Sequence, residues 1–225
     1  MSCRLINRAC EEVFPTLADE SIDLIIADPP YKDYQSNRPL KKRSFPKIES
    51  LEFDTEMFAM ESFRVLKQGS HLYCFCDHKS MVGVRQRLSK AGFICKDTLT
   101  WVKNNHGCGD LQGGWGPQTE FILYCTKGRG KPLNRPRRPN VFHYPKVDPK
   151  RFGHGTVKPV ELLTVLIEKS SKDGDIVLDP YAGTGSTGVA AMQAGRSSIL
   201  VEKDVSCFKA LEKRVLKVTD EILNI

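Results

Sequence analysis

An apolar run that stops at a carboxylate and a pair of prolines constrains this chain more than any other feature. Residues 24–31 read Leu-Ile-Ile-Ala-Asp-Pro-Pro-Tyr. Leu24 to Ala27 is short, bulky and flanked by Asp23 and Asp28, the pattern of a strand buried on both faces of a parallel sheet. Asp28 then stands at the carboxyl end of that strand, the edge at which open α/β sheets bind ligands. Pro29 and Pro30 lack an N–H and have a fixed φ, so the chain leaves the sheet as a stiff, extended piece with free carbonyl acceptors. Asp28, Pro29, Pro30 and Tyr31 therefore present a carboxylate, rigid acceptors and a flat ring together. A strand followed by a plain proline turn has the same local sequence, and the remainder of the chain must decide between the two.

That remainder alternates. Its spacing predicts further strands over 3–7, 70–76, 93–102, 119–125, 176–179 and 198–202, and helices over 10–14, 54–68, 80–91, 159–171, 185–194 and 205–218. Pro15 interrupts the first helix, and Gly69 is placed to stop the second. Such alternation implies an α/β fold with a doubly wound, mostly parallel sheet in one domain over 1–225. Strand 119–125 follows its predecessor through a loop alone and is expected to run antiparallel.

The net charge is +7, but its distribution says more. Residues 32–50 hold six Lys/Arg against two acids, and residues 127–151 hold nine against one. The other positions carry 19 basic and 24 acidic residues, so two basic loops sit on an acidic body. They suit a polyanion, although solvated loops would look alike. Eight cysteines form no C-x-x-C pair, and no metal site is expected. No apolar run reaches bilayer-spanning length, and a reduced, cytoplasmic protein without a membrane partner is expected.

Two late stretches look like ligand sites. Asp179-Pro-Tyr-Ala-Gly-Thr-Gly-Ser-Thr-Gly188 joins a buried strand to a helix, and Glu202 ends the next strand. Glycines let a ligand approach the backbone and an acid can take a ribose diol, a pattern that fits a nicotinamide cofactor equally well. His154-Gly-Thr-Val-Lys-Pro159 precedes a helix; Pro159 suits its first position, and Thr156 and Lys158 offer donors to an anion. An ordinary cap with a surface lysine reads the same.

Together, Asp-Pro-Pro-Tyr early, His-x-Thr-x-Lys-Pro late and Asp-Pro-Tyr-x-Gly-x-Gly-Ser-Thr soon after resemble the amino-group DNA methyltransferases, in the permuted β-type branch where the catalytic half precedes the cofactor half. The resemblance covers nearly the whole chain, including Thr119-Glu120. Gly155 stands where the family has Pro, Tyr181 where it has Phe, and Arg8 where it often has an acid. It implies the class I methyltransferase sheet, a catalytic half over 1–102, a short target-recognition segment over 103–153 and a cofactor half over 154–225. The implied cofactor is S-adenosyl-L-methionine. Its methionine part would meet Lys158 and the turn of Ala182, Gly183, Thr184, Gly185, Ser186 and Thr187, supported by His154, Thr156, Asp179 and Tyr181. Glu202 would take the ribose, Ala9 and Cys10 the adenine side, and Asp28 and Pro29 would border both cofactor and target base. Double-stranded DNA would be held by Lys41, Lys42, Arg43, Arg135, Arg137 and Arg138. The resemblance also admits a second copy of the chain or a restriction endonuclease as protein partners.

An exocyclic amine is a poor nucleophile because its lone pair is delocalised into the ring. Asp28 and the Pro29 carbonyl can each accept one N–H, strengthening as positive charge develops on nitrogen, and Tyr31 can stack on an extruded base. No Pro-Cys dipeptide exists to serve carbon-5 cytosine chemistry. The expectation is adenine-N6 methylation of duplex DNA, because relatives acting on cytosine more often begin the tetrapeptide with Ser. Cytosine-N4, RNA or protein amino-group transfer, and an inactive DNA-binding relative, are the competing readings.

Overall fold

A computed structural model describes residues 2–30, 54–107, 112–148 and 157–223. In chain order the elements are β1 (Cys3–Ile6), α1 (Cys10–Val13), β2 (Ile22–Ala27), α2 (Thr55–Val65), β3 (Leu66–Cys76), α3 (Met81–Lys90), β4 (Phe93–Val102), β5 (Thr119–Lys127), β6 (Val141–His143), α4 (Val160–Ser170), β7 (Ile176–Asp179), α5 (Ser186–Gln193), β8 (Ser197–Val201) and α6 (Val205–Leu223). One eight-stranded sheet has the order β1-β8-β7-β2-β3-β5-β4-β6. Only β5 opposes its neighbours; every other pairing is parallel. The late strands β7 and β8 thus insert between the early strands β1 and β2.

The period-2 alternation of β2 explains its unbroken apolar sequence. Ile25 and Ala27 face one layer, with Phe58 and Ala59 of α2 and Leu88 of α3. Leu24 and Ile26 face the other, with Leu162 and Leu166 of α4 and Ala190 of α5. All four strand residues are essentially inaccessible to solvent. Cys74 and Cys76 share the first of these layers, as strand alternation requires. Leu200 of β8 meets Leu211 and Val215 of α6.

Several boundaries differ from expectation for local reasons. α1 ends at Val13 and Pro15 sits in a 3-10 turn over Phe14–Thr16, because proline cannot continue the α-helical bonding. Gly69 does not stop α2. It lies inside β3, where six residues of that strand, Leu66 to His71, oppose three of β2, Ile22 to Leu24, and a bulge is where an extra glycine sits. Pro159 occupies the N-cap of α4 instead of its first turn. α6 continues past Val218, since neither Gly nor Pro follows to end it. β6 pairs with Thr100–Val102 of β4 inside a Pro- and Arg-rich stretch that has no strand pattern of its own. None of the described helices is long and apolar enough to cross a membrane.

Candidate active site

The strand order reverses between β7 and β2. From β7 the chain passes through α5 to β8 on one side, and from β2 through α2 to β3 on the other. Open sheets bind ligands in the crevice outside the carboxyl ends at such a switch point. Asp28 and Asp179 stand on either side of it, Asp28 just beyond β2 and Asp179 as the last residue of β7.

Asp179 organises the glycine turn. Its Oδ1 accepts the Tyr181 N–H at 3.0 Å and its Oδ2 accepts the Thr187 hydroxyl at 2.5 Å. Burial pushes its carboxyl up to about 7 against those two bonds. Gly183 and Gly185 take left-handed φ values of 52° and 82°, which disfavour any residue bearing a Cβ. Among the described residues other than its chain neighbours, no atom lies within 4 Å of where a Gly183 Cβ would sit, so these residues leave open room against the backbone of the turn. The Arg214 guanidinium donates to the Thr184 carbonyl and the Ser186 hydroxyl, tying α6 to the turn.

Glu202 follows β8 and closes the turn from the side. Its Oε2 accepts the Gly183 N–H at 2.9 Å, and its Oε1 accepts the Asp204 N–H at 2.7 Å. Burial pushes this carboxyl up as well. Asn7, at the exit of β1, donates to the Glu202 carbonyl at 2.8 Å. Ala9 caps α1, and the buried Cys10 thiol, pushed up to about 12 by burial, donates to Glu11 Oε2 at 3.4 Å. The Tyr181 ring packs 5.7 Å from Phe58. The exits of β1, β8 and β7 thus lie side by side at one edge of the sheet.

Across the crevice lies a chain of charges. The Lys158 ammonium, 7% exposed, donates to Asp28 Oδ2 and lies 3.3 Å from Glu120 Oε2. Lys103 holds Glu120 Oε1 at 2.7 Å. Burial disfavours the Lys158 charge, but Asp28 and Glu120 outweigh it and hold its pKa above the ordinary range. Burial likewise pushes the Glu120 carboxyl up, while Lys158 and then Lys103 prevail and hold it down. Glu120 and Lys103 were not among the residues expected here. The signal is topological: an acid that begins an antiparallel strand stands at the same edge as residues that end the parallel ones.

Tyr31, Lys41, Lys42, Arg43, His154 and Thr156 lie outside the described residues. Arg135, Arg137 and Arg138 are exposed, but the start of their segment is held far from Asp28. The Asn134 side chain donates to the carbonyls of Glu168 and Ser171, at the end of α4. Lys158 precedes the other end of that 11-residue helix, about 16 Å away. The segment returns to the crevice edge through β6, where the Lys146 N–H donates to Asn104 Oδ1 at 3.1 Å. Among the described residues no cluster of His, Cys, Asp or Glu is arranged to hold a metal ion.

Asp179 also makes a stability prediction. A carboxyl with a native pKa of about 7 against 3.8 binds its proton more tightly when folded. Its contribution to stability is full below about pH 4 and is lost as pH rises towards 7, a change of about 4 kcal/mol. Urea unfolding at pH 5 and pH 8 should show Asp179→Asn gaining stability relative to wild type at the higher pH. An equal difference at both pH values would show that Asp179 is ionised throughout.

Comparison with known proteins agrees with this geometry. The sequence signature of the DNA methylase family matches residues 22–213. The Type II methyltransferase M.HpaI of Haemophilus parainfluenzae is 31% identical over 241 residues, covering 96% of this chain and 74% of that protein. M.HinfI of Haemophilus influenzae, also a Type II methyltransferase, is 27% identical over 252 residues, covering 95% and 68%. Among solved structures, the M1.HpyAVI–SAM complex superposes with a TM-score of 0.73 at 23% identity, covering 95% of this chain and 99% of that one. PvuII DNA methyltransferase, cytosine-N4-specific, gives 0.73 at 16% identity, covering 100% and 93%. These two likenesses concern the fold, while the signature and the M.HpaI relationship extend to the sequence. On both grounds the chain belongs to the DNA methylase family, the methyltransferases that act on exocyclic amino groups of DNA bases.

Proposed function

We propose that this chain transfers a methyl group from S-adenosyl-L-methionine to the N6 amine of adenine in duplex DNA. The observation that carries the reading is Asp28, followed by two prolines, facing the Asp179–Gly185 turn across the switch point of the sheet. Aspartate, not serine, begins the tetrapeptide, which favours adenine over cytosine. The residues fit the cofactor: the turn has open space at Gly183, Glu202 lies beside it with acceptor oxygens for a ribose diol, and Ala9 and Cys10 border the far side. When bound, S-adenosylmethionine supplies an electrophilic methyl group on a sulfonium.

The chain's own groups prepare the amine. Asp28 Oδ and the Pro29 carbonyl each accept one N–H of the target nitrogen, turning its lone pair out of conjugation and towards the methyl. As nitrogen gains the methyl it becomes cationic, and both acceptors bind it more strongly in the transition state than in the ground state. Asp28, directly or through water, takes the proton that leaves. Reaching an amine within a duplex requires extruding the base, and Tyr31 would stack upon it. The 103–153 segment serves as a short target-recognition region, with Lys41, Lys42 and Arg43 supplying phosphate contacts. Arg135, Arg137 and Arg138 contact flanking phosphates, given the distance of their segment's start from Asp28.

Nucleoside mass spectrometry of DNA incubated with the protein and S-adenosylmethionine tests the reading. N6-methyladenine is the expected product. N4-methylcytosine would overturn the choice of base, and absence of both would overturn the activity. Thermal unfolding provides a separate check: S-adenosylmethionine should raise Tm and NAD should not.

A further inference from the structure

We infer that the Lys158 ammonium is a movable cap on Asp28, and that Glu120 is the position to which it withdraws when the target amine enters. The inference rests on the methyltransferase reading above. An Asp28 oxygen bonded to an ammonium is a weakened acceptor for a substrate N–H, because its charge is already compensated. Productive binding therefore requires Lys158 to leave that oxygen without carrying its charge into an apolar region.

The surroundings of Lys158 supply such a route. Glu120 Oε2 is buried and accepts no hydrogen bond from any described residue, yet it lies only 3.3 Å from Lys158 Nζ. An unfilled buried acceptor is costly unless something completes it. Its partner oxygen is fully engaged: Lys103 holds Oε1 at 2.7 Å and itself sits 5.2 Å over the Trp101 ring. Glu120 is thus fixed by Lys103 on one side and, on the other, ion-paired with Lys158 but short of a hydrogen bond. The Phe75 ring lies 5.0 Å from Lys158 Nζ and offers its negative face to the ammonium. A rotation of the Lys158 side chain towards Glu120 completes the Glu120 bond, and carried on until the contact with Asp28 passes hydrogen-bonding reach it frees the Asp28 oxygen with the ammonium still paired. Glu120 is in this sense a positioning residue: it acts on the reaction through Lys158.

The test compares wild type, Glu120→Gln and Glu120→Asp, alone and in a Lys158→Met background, with folding verified by thermal unfolding. Glu120→Gln should lower kcat about 30-fold, of the order that misplacing a reacting group costs, with the KM for DNA and the Kd for S-adenosylmethionine within about twofold of wild type. Glu120→Asp should recover part of the loss. In the Lys158→Met background the Glu120→Gln effect should vanish, because no cap remains to be withdrawn. A readout independent of turnover is the NMR resonance of the Lys158 ammonium, assigned by its loss in Lys158→Met. It should move in wild type, and stay still in Glu120→Gln, when a duplex carrying the mapped site is added without cofactor. Wild-type kcat in Glu120→Gln, an equal loss in the Lys158→Met background, or an unmoved wild-type resonance would overturn the handover alone. A wild-type protein that methylates no base would overturn the methyltransferase reading and the handover with it.

Discussion

Asp28→Ala lowers kcat by about a thousandfold or more, the scale for removing one group that stabilises developing charge, while S-adenosylmethionine binding remains within about tenfold of wild type. The asymmetry follows from where Asp28 stands. It lies beyond the end of β2, across the crevice from the glycine turn and Glu202 that would hold most of the cofactor. The truncation leaves the Pro29 carbonyl as one acceptor and removes the charged one, along with the nearest destination for the departing proton. The fold tolerates the change, because Lys158 retains Glu120 at 3.3 Å and is not left as a lone buried charge. Asp28→Asn separates two contributions: it keeps an acceptor oxygen but lacks charge, and its loss should fall between alanine and wild type. Single-turnover kinetics and calorimetric cofactor titration measure the two quantities separately. Turnover retained in Asp28→Ala would remove Asp28 from the chemistry.

How much of this site was readable from the chain depends on whether its signal is local. β7 was legible to the residue and β2 over Leu24–Ala27, because a strand segment buried on both faces needs an apolar run and each run ends at an aspartate. β2 starts two residues earlier, at Ile22, a start hidden in the sequence because Asp23 interrupts the apolar pattern there. The positions of Asp28, Asp179 and Glu202 at one edge then follow from parallel topology alone. Glu120 reaches that edge only because β5 runs against the others. Its role as a Lys158 partner is visible only once the register with β3 is known, Cys76 opposite Phe121. β6 was illegible for a related reason. Val141–His143 has no apolar run, and its strand conformation comes from the free edge of β4. The placement of Arg135 is likewise tertiary, since the hydrogen bonds of its neighbour Asn134 to the end of α4 span more than thirty positions of sequence. Charge runs identify the electrostatic character of a segment but not the side of the molecule it occupies.

Gly188→Val is expected to cost about 3 kcal/mol of folding stability, even though valine outranks glycine as a helix former. The two effects oppose one another. Replacing glycine within a helix gains roughly 0.5 kcal/mol in propensity, whereas overpacking a filled core costs about 1–3 kcal/mol or more. Geometry decides between them. A Cβ at Gly188 would lie 2.4 Å from Leu200 Cδ1 and 3.6 Å from Val215 Cγ2, and Leu200 is wholly buried against Leu211 and Val215. α5 must then move away from β8, the strand whose end carries Glu202. Gly183→Ala is the natural contrast, for its Cβ meets open space. Its left-handed φ costs only about 1–2 kcal/mol, and its main effect should fall on cofactor affinity, since the methyl would occupy the room at the turn. Urea unfolding of both variants, with S-adenosylmethionine titration under folding conditions, separates packing from binding. If Gly188→Val unfolded at the wild-type urea concentration, α5 and β8 would not be in close contact. If Gly183→Ala bound the cofactor as wild type does, the space beside that turn would not be where it lies.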